Sequence, residues 1–382
     1  MTNNNTPTTY TVFVTDAWEP QVSGVVTTLK YVKLEFEKRN HQVRVIAPDP
    51  KKYFIQHWLP GHPEIPLAIW PKPGKLWVDQ ELDALRREGT LGKIYIATPE
   101  GPLGISARLY CLKHDLNYST GAHTRFDDFT SALPIPVIAW AAKKYGHEFL
   151  KWAHKGAYKT LVLNQGMIAE YQAKGFENLV PWTRGVDTNL FKPGSATVYD
   201  GLPRPIFLNV GRISYEKGLG EFENIELPGT TVFVGTGPIL EELQKKLPHG
   251  LFAGLKRGDE LAAYYRSADV FAFPSVTDTF GNVQIEALAS GLPIAALPNS
   301  ATESILSVPG IGVMNANFKT ACLEAYKLRQ NGCAAACRQH VMKHYNGWER
   351  TAQILDENTI ASPPPRRSKP TPPPVLANSA HS

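Results

Sequence analysis

Short runs of consecutive apolar residues, bounded by glycine, proline or polar turns, alternate along this chain with segments whose apolar positions return every three to four residues. Tyr10–Val14, Val43–Ala47, Lys93–Ala97 and Thr160–Leu163 in the first half read as strands buried on both faces, and so do Ile206–Val210, Val232–Val234 and Phe271–Phe273 in the second. Val25–Glu37 reads as a helix, as does Val283–Ser290, which Gly291 closes. Strands alternating with helices predict parallel sheets wrapped on both faces. The alternation lapses over Trp182–Gly194 and restarts at Ile206, so two doubly wound α/β domains are expected.

In such sheets a ligand binds beyond the carboxyl ends of the strands. Gly24, His123, Arg212, Gly235 and Asp278 each follow a predicted strand and should converge on one cleft. The richest stretch is Thr277–Pro293, which places Asp278 in a loop and Glu286 eight positions on, within the following helix. Ionised carboxylates only accept hydrogen bonds and so suit vicinal diols, Asp278 on a sugar and Glu286 on a ribose. Gly281 permits the tight turn between them. About sixty-five residues upstream, the strand Ile206–Val210 runs into Gly211–Gly218, carrying the planar fork of Arg212 and the point charge of Lys217. That pairing suits a diphosphate. Cations at the start of a helix oppose its dipole unless an anion compensates, which weighs against a merely solvated surface. Gly235 leaves a strand where backbone can approach a ligand, and the Pro20–Val25 loop with Gly24 opens a helix whose N–H groups can face an anion. Taken alone, His123 reads equally as a strand-end histidine bonded to backbone.

Together these segments resemble the retaining family 4 glycosyltransferases over about Tyr10 to Trp348. The family's E-x7-E motif stands here as Asp278-x7-Glu286, and the accompanying landmarks are Asp16–Val25, Glu100–Gly104, His123–Phe126 and Arg184–Thr188. Asp at the first motif position resembles the branch of bacterial alpha-mannosyltransferases and of sulfoquinovosyl or glucosyl diacylglycerol synthases. The resemblance implies a GT-B fold of two facing Rossmann-like domains. It also implies metal-independent transfer of a hexose from GDP-mannose or a UDP-hexose to a hydroxyl acceptor, such as the membrane lipid diacylglycerol. Arg212, Lys217, His123 and Asp278 would be catalytic, with His123 beside the donor sugar, while Gly24, Gly235, Phe280, Gly281 and Glu286 would bind the donor. The nucleotide sugar would be a co-substrate, with no other cofactor and no resident metal; no D-x-D occurs in the chain, which argues against a metal-dependent GT-A transferase. Two rivals are a nucleotide-sugar epimerase of the same fold and a non-catalytic nucleotide-sugar sensor or scaffold that docks through its Pro-rich tail.

Composition narrows the class. At 382 residues with 43% hydrophobic and 20% charged, the chain has material for two separate cores and the balance of a soluble globular protein. The expected layout is a first domain over 10–190, a nucleotide-sugar domain over 191–335, and a helix over 336–358 packing back on the first. Residues 1–9 and 359–382 are too poor in apolar residues to be expected to fold. No basic start precedes an apolar run and no window nears eighteen apolar residues, so a cytoplasmic protein is expected, without a nucleic-acid partner. Four cysteines fit a reducing compartment. Cys333, Cys337, His340 and His344 share one helical stripe, but it spans roughly 16 Å and cannot close a tetrahedron around one ion, so packing is the better reading.

One further helix carries Ile138, Ala141, Tyr145, Phe149 and Trp152 on an apolar face, with Lys143, His147, Lys151 and Lys155 repeating beside it and Lys144 adjoining. Such a basic amphipathic helix can lie on an anionic membrane surface, each basic side chain contributing about 1 kcal/mol, or be an ordinary domain helix with a solvated cationic face. Trp70 and Trp77 flank a basic, Pro-rich loop that adds to the first possibility. A peripheral place on the inner face of the cytoplasmic membrane follows from it.

Overall fold

The computed structural model describes residues 9–21, 23–56, 67–123 and 136–362, with backbone only for 136–144. Two six-stranded parallel sheets dominate it. The first comprises β1 (Tyr10–Val14), β2 (Gln42–Ile46), β5 (Leu91–Ile96), β6 (Ser119–Ala122), β7 (Thr160–Val162) and β8 (Leu179–Pro181), in spatial order β2-β1-β5-β6-β7-β8. Phe13 stands opposite Val45 on one side and Tyr95 on the other, which sets its register. The second comprises β9 (Ile206–Val210), β10 (Thr230–Val234), β11 (Leu251–Gly254), β12 (Val270–Phe273), β13 (Ile294–Ala296) and β14 (Gly312–Met314), ordered β11-β10-β9-β12-β13-β14. Every residue of β9 and β12 is buried, as their apolar runs require, and the one polar residue among them, Asn209, donates through Nδ2 to Ala272 O of β12 at 2.8 Å. An antiparallel pair, β3 (Tyr53–Gln56) with β4 (Leu67–Pro71), stands apart; the sequence reading did not anticipate it.

The first sheet is wrapped by α1 (Gly24–Lys38), α2 (Val78–Arg87), α3 (Pro102–Lys113), α4 (Pro136–His154) and α5 (Gln165–Ala173). The second carries α6 (Leu240–Lys246), α7 (Gly258–Ser267), α8 (Asn282–Ala289), α9 (Ser300–Ile305), α10 (Phe318–Gln330) and α11 (Ala334–His344), while α12 (Glu349–Glu357) returns to the first. Helix starts follow side-chain chemistry: Ser23 Oγ accepts from Val26 N–H to cap α1, and Asn164 Oδ1 accepts from Met167 N–H to cap α5. One apolar core runs from Phe13 and Tyr95 through Trp182, Val186 and Phe191 into Leu208, Phe271 and Ile285, so the segment between the sheets is itself core.

The segment 336–358 is two helices with a break at Tyr345–Trp348. Helix α11 packs on α8, with Cys337 and His340 buried, while α12 packs on α1. Trp182 Nε1 donates to Thr351 O at 2.8 Å and Lys93 Nζ pairs with Asp356 at the end of α12, which fastens that helix to the first sheet. Residues 359–362, expected to be unfolded, are placed: Thr359 is buried, Ala361 bridges to Lys93, and Ser362 N–H donates to Gly92 O. The backbone groups at the edge of β5 supply partners that composition does not reveal. The remainder of the Pro-rich tail lies outside the described residues, as do Thr124–Phe126 of the His123 landmark.

Candidate active site

In the second sheet the strand order reverses between β9 and β12, and the crevice beyond that point is where a doubly wound fold binds its ligand. Arg212 leaves β9 and Asp278 leaves β12, so both sit at this crevice. A short 3-10 turn, Tyr215–Lys217, ends at Gly218 with φ 65°, and a Cβ there would stand 2.9 Å from Pro274 O at the end of β12. Glycine thus lets the turn close down on the neighbouring strand. Glu216 O accepts from Thr277 Oγ1 at 2.8 Å, which ties the two loops together.

Each cation has a carboxylate partner. Arg212 Nη2 is paired with Glu216 Oε1, which also accepts from Ser214 Oγ at 2.6 Å. Lys217 Nζ lies 2.7 Å from Asp278 Oδ1. Burial pushes both carboxyls up, but the adjacent cations outweigh it and hold Glu216 and Asp278 below the usual carboxylate range. The other Asp278 oxygen, Oδ2, is buried and accepts no hydrogen bond. A buried acceptor without a donor is costly, so this atom is a natural seat for a ligand hydroxyl.

Glu286 lies on α8 and accepts from Tyr265 Oη at 2.9 Å. Burial pushes its carboxyl up to about 7, against the lowering effect of that hydrogen bond. Tyr31 of α1 stacks on Trp348 with ring centroids 4.9 Å apart, and its hydroxyl pKa is raised by burial and by the charges of Asp187 and Glu286. The sequence reading had not singled out Tyr31 or Tyr265; their helical spacing marks them only as packing residues.

Three residues expected at the donor site are constrained by shape. A Cβ on Gly235 would collide with Gly211 O, so its glycine is demanded by the adjacent strand exit. Gly281, with φ 76°, starts α8, and the Phe280 side chain is buried against Tyr345, so it faces the core rather than the cleft. From the first domain, Gly24 comes within 3.8 Å (measured from an ideal Cβ) of Asn282 Nδ2, which is buried without a partner. Gly24 and the start of α8 therefore face each other across the cleft, and Asn282 joins Asp278 Oδ2 as an unmatched polar group there. Its position directly after Gly281 was the signal available in the sequence.

His123 ends β6 and is buried. Its Nε2 lies 3.0 Å from Tyr95 Oη and its Nδ1 2.9 Å from Arg184 Nη2, so both ring nitrogens are occupied. Burial, then the charges of Arg184 and His154, hold its pKa well below the ordinary value. Its backbone is what meets the second domain: His123 O accepts from Thr279 Oγ1 at 3.1 Å, and Thr279 O accepts from Asn164 Nδ2 at 2.8 Å. The residue after Asp278 is thereby pinned to two elements of the first domain.

The lysines lie elsewhere. On α4, Leu150, Ala153 and His154 face the core, while Tyr145 is 56% and Trp152 39% exposed. These two aromatics, expected on an apolar face, are largely outside the core; Trp152 lies under Arg108 at 4.4 Å and stacks with Phe149. Lys155 is exposed, and Lys151 leans its ammonium onto Gly175 just past α5, 2.8 Å from where a Cβ would stand. The side chains of Lys143 and Lys144 lie outside the described residues. Among the described residues no helix is long and apolar enough to cross a membrane.

Two facing Rossmann-like sheets, with paired cations and carboxylates at the second one's switch point, define the GT-B class of transferase. Comparison with known proteins carries this to a family. Residues 22–190 match the family described as Glycosyltransferase Family 4, and residues 204–327 match Glycosyl transferases group 1. A GDP-mannose-dependent alpha-mannosyltransferase of Mycobacterium tuberculosis is 30% identical over 74% of this chain and 77% of its own length. An alpha-monoglucosyldiacylglycerol synthase of Streptococcus pneumoniae is 23% identical over 78% of this chain and 74% of its own. Among solved structures, a sucrose-phosphate synthase of Thermosynechococcus elongatus has the same fold, with a TM-score of 0.70 at 17% identity, over 91% of this chain and 98% of that one. The chain belongs to glycosyltransferase family 4 and is a glycosyltransferase.

Proposed function

We propose that the enzyme transfers a hexose, with retention and without a metal, from GDP-mannose or a UDP-hexose to the hydroxyl of a membrane lipid such as diacylglycerol. The observation that carries this reading is the Lys217–Asp278 pair at the switch point, with one Asp278 oxygen engaged by the lysine and the other buried and unmatched. Lys217 can turn toward a diphosphate while staying against Asp278, and Asp278 Oδ2 can accept a hydroxyl of the attached sugar. Arg212 supplies planar donors to the same phosphates, exchanging its contact with Glu216 for them. Fixed charges so placed stabilise the departing nucleotide diphosphate, the role a metal takes in other transferases.

Glu286 receives the ribose diol and Gly24 brings the opposite backbone to the phosphate. His123 borders the sugar, its imidazole held from behind. The bond from the sugar's anomeric carbon to the diphosphate breaks as the bond to the acceptor oxygen forms on the same face, and the acceptor proton passes to a phosphate oxygen of the leaving group. Relatives named for a diacylglycerol product and for GDP-mannose support this choice of acceptor and donor. The exposed Tyr145 and Trp152 of α4, with exposed Lys155 just past its end, support a peripheral seat on an anionic membrane. The test is a screen of GDP-mannose, UDP-glucose and UDP-glucuronate, with and without diacylglycerol vesicles, with products identified by mass and anomeric configuration. A glycolipid of retained configuration is expected. Release of a rearranged sugar nucleotide without acceptor would establish the epimerase instead.

A further inference from the structure

Among the described residues, no carboxylate pairs with the buried cation Arg184. It is 2% exposed, follows β8, and lies flat on Trp182 with Cζ 4.3 Å from the ring. Its Nη2 donates to His123 Nδ1, whereas Nη1 is buried with no hydrogen-bond partner. Burial lowers its pKa to about 9, a value at which it still carries its charge at neutral pH. An arrangement this costly is retained where it holds something in place.

The proton positions follow from the chemistry of the groups. A guanidinium only donates, so Nδ1 of His123 must accept, and a neutral imidazole then carries its proton on Nε2. That proton points to Tyr95 Oη, which is fully buried. Gly121 completes the clamp, because a Cβ there would collide with both Tyr95 Oη and His123 Nε2. Trp182, which carries the guanidinium, also packs edge-on against Tyr95 and His123 and is itself tied to α12. The groups facing His123 are thus Arg184, Tyr95 and, behind β6, His154 bonded to Thr120. Among the described residues, no acid in contact offers its ring a stabilising negative charge.

We propose that Arg184 is a positioning residue for glycosyl transfer: it locks His123 as the Nε2–H tautomer, and through the His123 carbonyl it sets the contact with Thr279 that places the Asp278 loop. The inference rests on the functional reading above. It explains why the imidazole is fully engaged inside the first domain while only its main chain crosses the cleft.

Nitrogen-15 NMR of the histidine rings in the full chain, together with kinetics of Arg184→Met and Arg184→Lys, tests it. In the unsubstituted protein His123 should show an unprotonated Nδ1 and titrate below the ordinary imidazole range. In R184M the ring should titrate at higher pH than before, and kcat should fall about ten- to a hundredfold with little change in donor KM, the scale of a small misplacement. A new loss of activity on the acid side should accompany it, and R184K, which keeps a cationic donor, should recover part of the rate and suppress that acid limb. An Nδ1–H tautomer in the unsubstituted protein overturns the proposal even if R184M does not fold. So does a folded R184M with unchanged kcat and pH profile. Absence of product from the unsubstituted enzyme in every arm of the donor screen would defeat the functional reading, while the ring spectrum still decides the clamp by itself.

Discussion

The two sheets reverse strand order at equivalent places and fill the resulting crevices in opposite ways. In the first, between β1 and β5, the anion belongs to the protein: Asp16 accepts from the N–H groups of Leu103 and Gly104 at the start of α3, at 3.1 and 3.3 Å, and Thr98 Oγ1 lies 3.2 Å away. A Cβ on Gly101 would collide with that carboxylate. Burial raises Asp16 to about 6 against these hydrogen bonds, but the helix terminus is occupied all the same. In the second, between β9 and β12, the protein supplies cations, and the loops carry Arg212 and Lys217 paired with Glu216 and Asp278. One crevice is plugged by its own residue and the other is poised to exchange partners with a ligand. On the proposed reading, the same architecture closes one crevice with its own carboxylate and leaves the other for the donor, and the difference lies in the sign of a few charges.

The strongest way to break this contrast is to remove the cations. Lys217→Ala or Arg212→Ala should lower turnover at least about a hundredfold, because losing one preorganised charged donor costs about 3 to 4 kcal/mol. Steady-state rates on folded variants check this, and near-normal turnover in both would end the assignment. In K217A, Asp278 also loses the charge that opposes its burial, so its pKa should rise.

Next in size is the proposed membrane contact of the first domain. Replacing Lys143, Lys144 and Lys155 by Gln should weaken binding to anionic vesicles by about 3 kcal/mol at most, roughly a hundredfold, with Lys151 left in place over the end of α5. Equal sedimentation of both proteins at low salt would turn α4 into an ordinary surface helix and shift the acceptor towards a soluble one.

The carboxylates of the donor site give a smaller, signed effect. Glu286 has its folded pKa raised from 4.5 to about 7, so its contribution to stability is fully present below about pH 4.5 and is lost as pH rises through 7. Asp278 runs the other way: its folded pKa is depressed, so its contribution is present above its ordinary pKa of 3.8 and disappears as pH falls through the lowered value. Glu286→Gln should melt higher than the unsubstituted protein at pH 8 and alike near pH 4, measured by thermal unfolding. A ribose diol that donates to ionised Glu286 should expel a proton near pH 6, which calorimetry of GDP or UDP binding in two buffers of different ionisation enthalpy detects. The smallest expected effect is that of EDTA: activity should survive chelation, and loss restored by manganese or magnesium would show that the cations do not act alone.

Much of this was legible in the chain because it is local. Short, mostly apolar runs such as Ile206–Val210, bounded by turn residues, read as buried strands, and a strand followed by Gly211-Arg212 or by Thr277-Asp278 sends those residues to one edge of the sheet. The alternation set the fold class, and the spacing of Asp278 and Glu286 set the chemistry of their half of the cleft. What the chain alone left open is pairing between residues far apart. Lys217 meets Asp278 sixty-one positions away, His123 meets Arg184 at the same separation, and Thr279 meets His123 across 156 positions. Such contacts carry no periodicity, since they depend on which strands become neighbours and on how two domains close. The direction of the His123 ring, the burial that raises Glu286 and lowers Arg184, and the anchoring of residues 359–362 on β5 were likewise decided only in the folded molecule. A side chain's protonation and partners are properties of its surroundings, and tertiary packing creates those surroundings.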